Sequence, residues 1–233
     1  CCMDPIDVFP IPGFREPVSC LTHLLAVPVY AILGYYLVRR GRGNWGRTVS
    51  LATMAFSSVF LLSMSAVYHL LGPGVGRYVM ARLDVAGVFA LIAGTVTPVH
   101  AILFSGFHRW APLLLVWSAA ATGITLRTVF SESLAPGVGT AIFLLMGWGG
   151  LISCILLWKR YGFSFVAPLL WGGVAYTLGA IVLVLNGPAL IPGAVGAHEL
   201  WHLAVLVGLG LHWKFVFGFA DGRPGVEEKI DTG

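Results

Sequence analysis

The feature of this sequence that most constrains its fold is a series of seven apolar stretches, each about as long as a bilayer is thick. A transmembrane helix needs about 20 consecutive, mostly apolar residues. The stretches lie at about 19–38, 48–71, 83–104, 110–130, 138–158, 164–186 and 197–219. They lack the apolar–polar alternation of a membrane β-barrel. The sequence therefore predicts an all-α integral membrane protein folded as a seven-transmembrane-helix bundle.

The composition leaves room for one membrane domain. Hydrophobic residues make up 58% of the 233 residues and charged residues only 10%, far from the balance of a soluble domain. Because the apolar stretches recur along the whole chain, no polar block is left for a second domain. We therefore expect a single seven-helix membrane domain over 1–233, with an N-terminal segment at 1–18 and a polar tail at 220–233.

The basic residues are distributed unequally between the two sides of the predicted bundle, which we call face A (the side of the N-terminus) and face B (the side of the C-terminus). Those on face A are Arg15, Arg77, Arg82 and Arg127. Those on face B are Arg39, Arg40, Arg42, Arg47, Arg109, Lys159, Arg160, Lys214, Arg223 and Lys229. The positive-inside rule predicts that face B and the C-terminus are cytoplasmic. Because the basic residues lie in short connections and form no dense patch, we expect no nucleic-acid partner.

Ionisable side chains gather at the helix ends on face A. They are His23 near the start of the first helix, His69 near the end of the second, Asp84 at the start of the third, and His198, Glu199 and His202 at the start of the seventh. An ionisable group in a membrane helix is costly and marks a functional site by default. Such a coincidence from four helices predicts one site on face A.

The spacing of the histidines indicates a metal site. His198 and His202 are four residues apart, so on a helix they share one face and can bind one ion together. His69 can supply a third nitrogen, and three nitrogens with an open position are typical of a catalytic zinc. Ser65, one turn before His69, can hydrogen-bond a water on the metal or a developing oxyanion, and Asp84 can accept a proton. We predict a Zn²⁺ site with these three histidine ligands and with Asp84 and Ser65 as catalytic residues.

Two other interpretations of these residues stay open. The three histidines could form a hydrogen-bonded network between helices without a metal. The run His198-Glu199-Leu200-Trp201-His202 also fits the His-Glu-x-x-His pattern of metalloproteases, in which the glutamate is the general base. This pattern lies in the last helix, so no later helix could supply a third ligand. The pattern assigns no role to His23, Glu16 or Glu199.

The other histidines are expected to lie away from this site. His100 follows Asp84 by sixteen residues and His212 follows His202 by ten, which is about 24 and 15 Å along a helix. We therefore expect both, with His108, to pack between helices or to lie at the interface on face B.

Short motifs spread over nearly the whole chain resemble a known family. They are Phe14-Arg15-Glu16-Pro17 with Thr22-His23, Ser65-Ala66-Val67-Tyr68-His69, Arg82-Leu83-Asp84, Ile92-Ala93-Gly94-Thr95-Val96-Thr97-Pro98, Tyr176-Thr177-Leu178-Gly179 and His198-Glu199-Leu200-Trp201-His202. With them the chain resembles the hemolysin III family, the bacterial branch of the progestin and adiponectin receptor group, which is related to the alkaline ceramidases. The resemblance implies seven helices in a bacterial inner membrane, zinc held by His69, His198 and His202, and Ser65 and Asp84 beside the activated water.

The chain departs from the family pattern in two respects. Family members often carry a histidine after the aspartate of the third helix, where this chain has Val85. Adiponectin receptors are understood to keep the N-terminus and the zinc on the cytoplasmic side, whereas the charge distribution here predicts an external face A.

Three functions fit these expectations. The leading one is a ceramidase-like, zinc-dependent hydrolase that acts on a lipid amide or ester, with Arg77 or Arg82 available to bind an acidic head group. The second is a non-enzymatic receptor or membrane sensor with a structural zinc and a lipid ligand. The third is the membrane-lysing activity in the family's name, which we disfavour because the buried polar residues are expected to stop at one face.

Overall fold

The computed structural model describes residues 11–130 and 138–224. Its helices are α1 (Pro17–Arg40), α2 (Trp45–Leu70), α3 (Val75–Leu103), α4 (Gly106–Val129), α5 (Val138–Trp148), α6 (Leu151–Tyr161), α7 (Phe163–Val184) and α8 (Ala197–Phe217). Within these ranges seven spans are long and apolar enough to cross a membrane, the fifth formed by α5 and α6 together. The predicted all-α, seven-helix membrane fold is confirmed.

The helix ends follow the polar and glycine-rich connections of the sequence. At the start of α2 the Asn44 side chain accepts a hydrogen bond from the Arg47 amide at 2.9 Å, which satisfies one of the free N–H groups of a helix N-terminus. At the start of α8 the Gly196 amide donates to Glu199 at 2.9 Å. Helix α6 ends at Tyr161 and is followed by Gly162, whose φ of 89° is favourable for glycine.

Helix α3 begins earlier than the sequence predicts. It starts at Val75 instead of residue 83, because the Gly72-Pro73-Gly74 turn ends there and the residues that follow can all be helical. The prediction that Asp84 lies at the start of this helix is therefore wrong. Asp84 lies in the third turn of α3, about 14 Å along the helix axis from Val75. It is therefore inside the helix and not at its start.

The predicted span 138–158 is helical but not continuous. Helix α5 ends at Trp148, and α6 begins at Leu151. At the break the Gly150 amide donates to the Gly147 carbonyl at 3.3 Å, in a tighter turn than that of an α-helix. Each glycine costs a helix interior about 1 kcal/mol relative to alanine, so the glycines here favour an interruption. The crossing consists of two half-helices that meet in its middle.

Glycines allow close helix contacts where the bundle is packed most tightly. A Cβ on Gly87 of α3 would lie 2.9 Å from the backbone of Leu61 on α2, and one on Gly208 of α8 would lie 2.8 Å from the ring of Tyr176 on α7. Small residues are common where membrane helices pack. Outward-facing apolar side chains remain uncovered, and Leu114 on α4 is 73% exposed. Such a surface suits contact with lipid.

The two ends of the chain are described only in part. Residues 1–10, 131–137 and 225–233 lie outside the described ranges, and with them most of the predicted segment 1–18 and tail 220–233. Pro17 already belongs to α1, and Phe219 and Ala220 are buried. The division into one membrane domain with two flanking segments stays a prediction.

Candidate metal centre

Three histidines from two helices come together near the face A end of the bundle. His69 is the second-last residue of α2, and His198 and His202 lie one turn apart at the start of α8. One ligand nitrogen from each histidine lies within 4.8 Å of the other two. His69 and His202 are buried and His198 is partly buried. We call these three residues the histidine cluster. Their role as metal ligands stays a prediction.

The Nδ1 atoms of two cluster histidines contact protein oxygens, which makes Nε2 the lone-pair nitrogen of these rings. Nδ1 of His69 contacts a carboxylate oxygen of Glu16, and Nδ1 of His202 lies 3.2 Å from the carbonyl oxygen of Ser19. Because both oxygens accept, each Nδ1 donates, and each neutral ring keeps an unprotonated Nε2. The Nε2 atoms of His69 and His198 are 3.2 Å apart. Two nitrogens bound to a tetrahedral zinc are separated by about 3.3 Å, given bonds of about 2.05 Å.

Glu16 is held against His69 by its backbone and by Arg77. The Glu16 amide donates to the His69 carbonyl at 3.1 Å, and one carboxylate oxygen accepts from Arg77 at 2.5 Å. Burial acts to raise the pKa of Glu16, but the hydrogen bonds and charges of His69 and Arg77 outweigh it and lower this pKa to about 2. Glu16 is therefore an anionic acceptor at neutral pH. A carboxylate in this position orients a metal-binding imidazole and raises its basicity.

Arg77 is held beside the cluster by hydrogen bonds to the protein. It donates to the carbonyls of Tyr68 and Leu71, both at 2.9 Å, at the end of α2. A cation is favourable there because the carbonyls of a helix C-terminus carry partial negative charge. With these bonds and that to Glu16, Arg77 is not the free cation that an acidic head group would need. Arg82 donates to the hydroxyl of Tyr78.

Glu199 links the start of α8 to α1. One carboxylate oxygen accepts from the Ser19 hydroxyl at 2.5 Å and the other from the Gly196 amide at 2.9 Å. Both oxygens therefore have structural donors, which disfavours the metalloprotease interpretation with Glu199 as the base. Because the Ser19 carbonyl also accepts from His202, the Glu199–Ser19 contact helps to position one ring of the cluster.

Ser65 and Asp84 lie beside the cluster on two neighbouring helices. Ser65 lies one turn before His69 on α2 and is buried, and its hydroxyl is within hydrogen-bonding reach of the Asp84 carboxylate on α3. Both residues line a cavity of about 190 Å³, which His198 and His202 also line. The structure thus brings both predicted catalytic residues to the end of the cavity where the histidines lie. Their catalytic roles stay predictions.

Comparison with known proteins identifies the family of the chain. A family model described as "Haemolysin-III related" matches residues 13–213. The chain belongs to the hemolysin III family. The resemblance drawn from the motifs is confirmed, and the chain is an integral membrane protein of this family.

Named relatives of this hemolysin III protein occur in bacteria and plants. It is 27% identical over 201 residues to a protein named Hemolysin-3 from Bacillus cereus, with 83% of this chain and 86% of the relative covered. It is 27% identical over 198 residues to a Hemolysin-3 homolog of Bacillus subtilis (strain 168), with 83% and 89% covered. It is 28% identical over 178 residues to Heptahelical transmembrane protein 5 of Arabidopsis thaliana, with 67% and 46% covered.

A fourth histidine of this hemolysin III protein adjoins the cluster. His23 on α1 stacks on the His202 ring, with ring centroids 4.0 Å apart and planes 7° from parallel. It is 3% exposed and lines the cavity. Among the described residues neither of its ring nitrogens has a hydrogen-bond partner. Buried polar groups are usually paired, so His23 offers polar atoms to whatever occupies this end of the cavity.

The cavity continues from the cluster to a second group of polar residues, which we call the far end: His100 on α3, Ser153 on α6 and His212 on α8. His100 is buried, and Nε2 of His212 lies 3.1 Å from the Leu169 carbonyl. The expectation that His100 and His212 lie away from the cluster agrees with the structure. The expectation that buried polar residues stop at one face is wrong, because His100 at the far end is buried and lines the cavity.

The residues that contact the ring nitrogens of the cluster are not marked by a sequence pattern. Glu16, Ser19 and Glu199 are close to the histidines only because α1 packs between the end of α2 and the start of α8, and single-sequence patterns do not define helix neighbours. For Glu16 the sequence does contain one indication of its position. Glu16 is an acid immediately before Pro17, a common first residue of helices, on the same face as the histidines.

Proposed function

We propose that this hemolysin III protein is a zinc-dependent membrane hydrolase that cleaves an amide or ester bond of a lipid. The observation that carries the proposal is the convergence of three imidazoles, two of them with Nδ1 on a protein acceptor, at a cavity that His198, His202, Ser65 and Asp84 line together.

The residues present fit a zinc ion better than a hard cation. His69, His198 and His202 would hold it, since an all-imidazole ligand set suits zinc and oxygen ligands suit magnesium or calcium. Three ligands leave one position open, and a zinc ion held in this way supplies Lewis-acid chemistry and makes water a nucleophile near neutral pH. Glu16 and the Ser19 carbonyl would keep two of the rings in orientation.

Ser65 and Asp84 supply the proton chemistry in this proposal. The Asp84 carboxylate accepts a proton from the attacking water and passes it to the leaving nitrogen or oxygen. The Ser65 hydroxyl donates a hydrogen bond either to Asp84 or to the carbonyl oxygen that gains negative charge. Both groups are enclosed by the bundle, where electrostatic interactions are stronger than in water.

The cavity supports a lipid as the substrate. Below the cluster its wall is apolar and includes Val88, Leu91 and Val205. A polar amide or ester group would lie at the cluster and an apolar chain would follow the cavity. Arg77 is already bonded, so we do not expect it to select an acidic head group.

The test is hydrolysis by purified, zinc-loaded protein of a panel of ceramides, other lipid amides and phospholipid esters, with released fatty acid as the readout. Asp84→Asn and Ser65→Ala should each lower turnover by about 100-fold or more while the zinc content stays unchanged. Ser57→Ala is the matched control, because this buried serine of α2 donates to the Met54 carbonyl at 3.1 Å and does not line the cavity. No released fatty acid from any lipid, with zinc bound, would contradict the proposal.

A second candidate is a receptor or sensor in which zinc only joins helices. The observation that favours this candidate is that the hydrogen bonds of His69 and His202 connect α2 and α8 to residues at and before the start of α1. In that case chelation would lower the unfolding temperature strongly, as for a structural metal, and Asp84→Asn would change no lipid turnover.

We also propose that the C-terminus is cytoplasmic in a bacterial inner membrane, since the basic residues favour face B. A reporter enzyme fused after Gly233 that is active only outside the cytoplasm would reverse this orientation.

A further inference from the structure

A serine and a histidine form a hydrogen-bonded pair at the far end of the cavity. His100 lies on α3, sixteen residues after Asp84, which is about 24 Å along the helix. Ser153 lies in the first turn of α6, and its Oγ is 3.1 Å from Nε2 of His100. Both residues line the cavity, and His100 is 2% exposed. The pair is therefore separate from the histidine cluster but lines the same cavity.

The tautomer of His100 follows from its second hydrogen bond. Nδ1 of His100 lies 2.7 Å from the backbone carbonyl oxygen of His108. A carbonyl oxygen only accepts, so Nδ1 carries the proton and the neutral ring has a lone pair on Nε2. The Ser153 hydroxyl must therefore donate to Nε2. The ring is also fixed in orientation by a group that is itself part of the backbone.

We propose that Ser153 is a nucleophile and His100 its general base, forming an acyl-transfer centre that is independent of the metal centre. Such a site is recognised by geometry: a nucleophile bonded to a base, and a third group that orients the base. Here the carbonyl of His108 takes the place of the third group. This inference goes beyond the hydrolase function proposed for the histidine cluster and does not depend on it.

The break between α5 and α6 provides the electrostatic environment that the centre needs. The first amide N–H groups of a helix have no carbonyl partner within the helix, and the N-terminus carries partial positive charge. Gly150 and Leu151, at the start of α6, line the cavity with Ser153. An oxyanion formed at the carbonyl attacked by Ser153 would therefore lie near the N-terminal N–H groups of α6.

The reaction of this centre is acyl transfer from an ester that carries an apolar chain. Oγ of Ser153 forms a bond to the carbonyl carbon while its proton moves to Nε2 of His100. The bond from that carbon to the alcohol oxygen breaks, and the alcohol leaves with the proton from Nε2. Water then attacks the acyl-serine, gives its proton to Nε2 and releases the carboxylic acid as Ser153 regains a proton. Atoms and charge balance without a redox partner.

The apolar wall next to the pair indicates the class of substrate. Val99 and Leu169 line the cavity beside the far end, and long acyl chains fit such a wall better than polar esters do. We therefore expect esters of fatty acids to be accepted.

The test is covalent labelling of the purified full-length protein, in detergent and in the presence of a chelator, with a fluorophosphonate that carries a long alkyl chain. Peptide mass spectrometry should locate the adduct on Ser153. His100→Gln, which cannot act as a base, should slow labelling by roughly 100-fold or more, and Ser153→Ala should abolish the adduct. Ser57→Ala, at a buried serine of α2 outside the cavity wall, should label at the wild-type rate.

Two results would overturn the inference. One is wild-type protein with no adduct on Ser153, a readout that requires no variant to fold. The other is equal labelling of wild-type protein and of a folded His100→Gln variant, because the Ser153–His100 bond would then serve only to join α3 to α6. Because the labelling is done in the presence of a chelator, it does not depend on zinc. If the proposed zinc hydrolase activity is not found, the adduct on Ser153 is still expected.

Discussion

The two ends of the cavity carry histidines whose hydrogen bonds differ. In the histidine cluster, the Nδ1 atoms of His69 and His202 contact protein acceptors, and Nε2 of His69 lies 3.2 Å from Nε2 of His198. At the far end both ring nitrogens of His100 have protein partners, and Nε2 of His212 faces a backbone carbonyl. The same residue type in the same membrane bundle thus has two different sets of hydrogen-bond partners, and we propose a different chemistry for each.

The hydrogen-bond partners of the ring nitrogens therefore indicate the role of a histidine better than its presence in the bundle does. A metal needs lone pairs from several rings that converge on one point. A general base needs a single lone pair that faces the hydroxyl it deprotonates. The ligand nitrogens of the cluster lie within 4.8 Å of one another, as the first proposal needs, and Nε2 of His100 lies 3.1 Å from Oγ of Ser153, as the second needs.

The largest effect is expected from removal of one cluster histidine. His202→Ala should weaken zinc binding by more than about 100-fold, because it removes one of three ligands and even an outer partner of a metal ligand contributes about 10–100-fold. A competition titration with a chelating dye on the purified protein measures this change.

The matched controls for His202→Ala come from the other end of the cavity. His212→Ala lies ten residues later on the same helix, and His100→Ala lies on α3. Both should bind zinc with nearly wild-type affinity, even if they lower stability. Equal losses of affinity in the His202 and His212 variants would remove the distinction between the two ends.

A smaller effect is expected from the carboxylate that orients His69. Glu16→Gln keeps the size of the side chain and an acceptor oxygen but removes the charge that faces His69 and Arg77. Zinc affinity should fall by about 10–100-fold, with the number of bound ions unchanged, as measured by the same titration.

Asp221→Asn is the control for the charge change. Its carboxylate lies 3.9 Å from Arg40 in an exposed pair on face B, where an ion pair contributes little. Zinc affinity should not change in this variant. If Glu16→Gln also binds zinc with wild-type affinity, Glu16 does not support a metal ligand.

The fold was predictable because it rests on local and additive signals. Seven apolar stretches are sufficient to define seven crossings, and turn residues such as Gly162 define where helices end. The start of α3 and the break in the fifth span were missed for a common reason. A hydropathy pattern reports how apolar a segment is and not its backbone conformation. It does not distinguish a polar residue inside a helix, such as Arg77, from a residue of a connection. It also does not distinguish a helix interrupted by a turn at Gly150 from a continuous helix.

The candidate site was predictable where helical spacing decides geometry and not where helix neighbours do. The pair His198 and His202, and the pair Ser65 and His69, each follow from a spacing of four residues. The contacts of Glu16 with His69 and of Ser153 with His100 join residues 53 positions apart in the chain. Such contacts depend on which helices pack together, and the sequence pattern alone does not specify that.

The smallest effect is expected in the packing that holds the two ends in one bundle. Gly208 lies on α8 between His202 and His212, and an added Cβ would lie 2.8 Å from the Tyr176 ring on α7. Gly208→Ala should therefore lower the free energy of unfolding by about 1–3 kcal/mol, the usual cost of overpacking, as measured by denaturant unfolding in detergent. Gly210→Ala, on the same helix, places its Cβ 3.6 Å from the Tyr30 hydroxyl, an ordinary contact, and should be neutral or slightly stabilising because alanine favours a helix. Equal stability of the two variants would show that α7 and α8 can separate slightly without loss. The cavity would then be adjustable in width between its two ends.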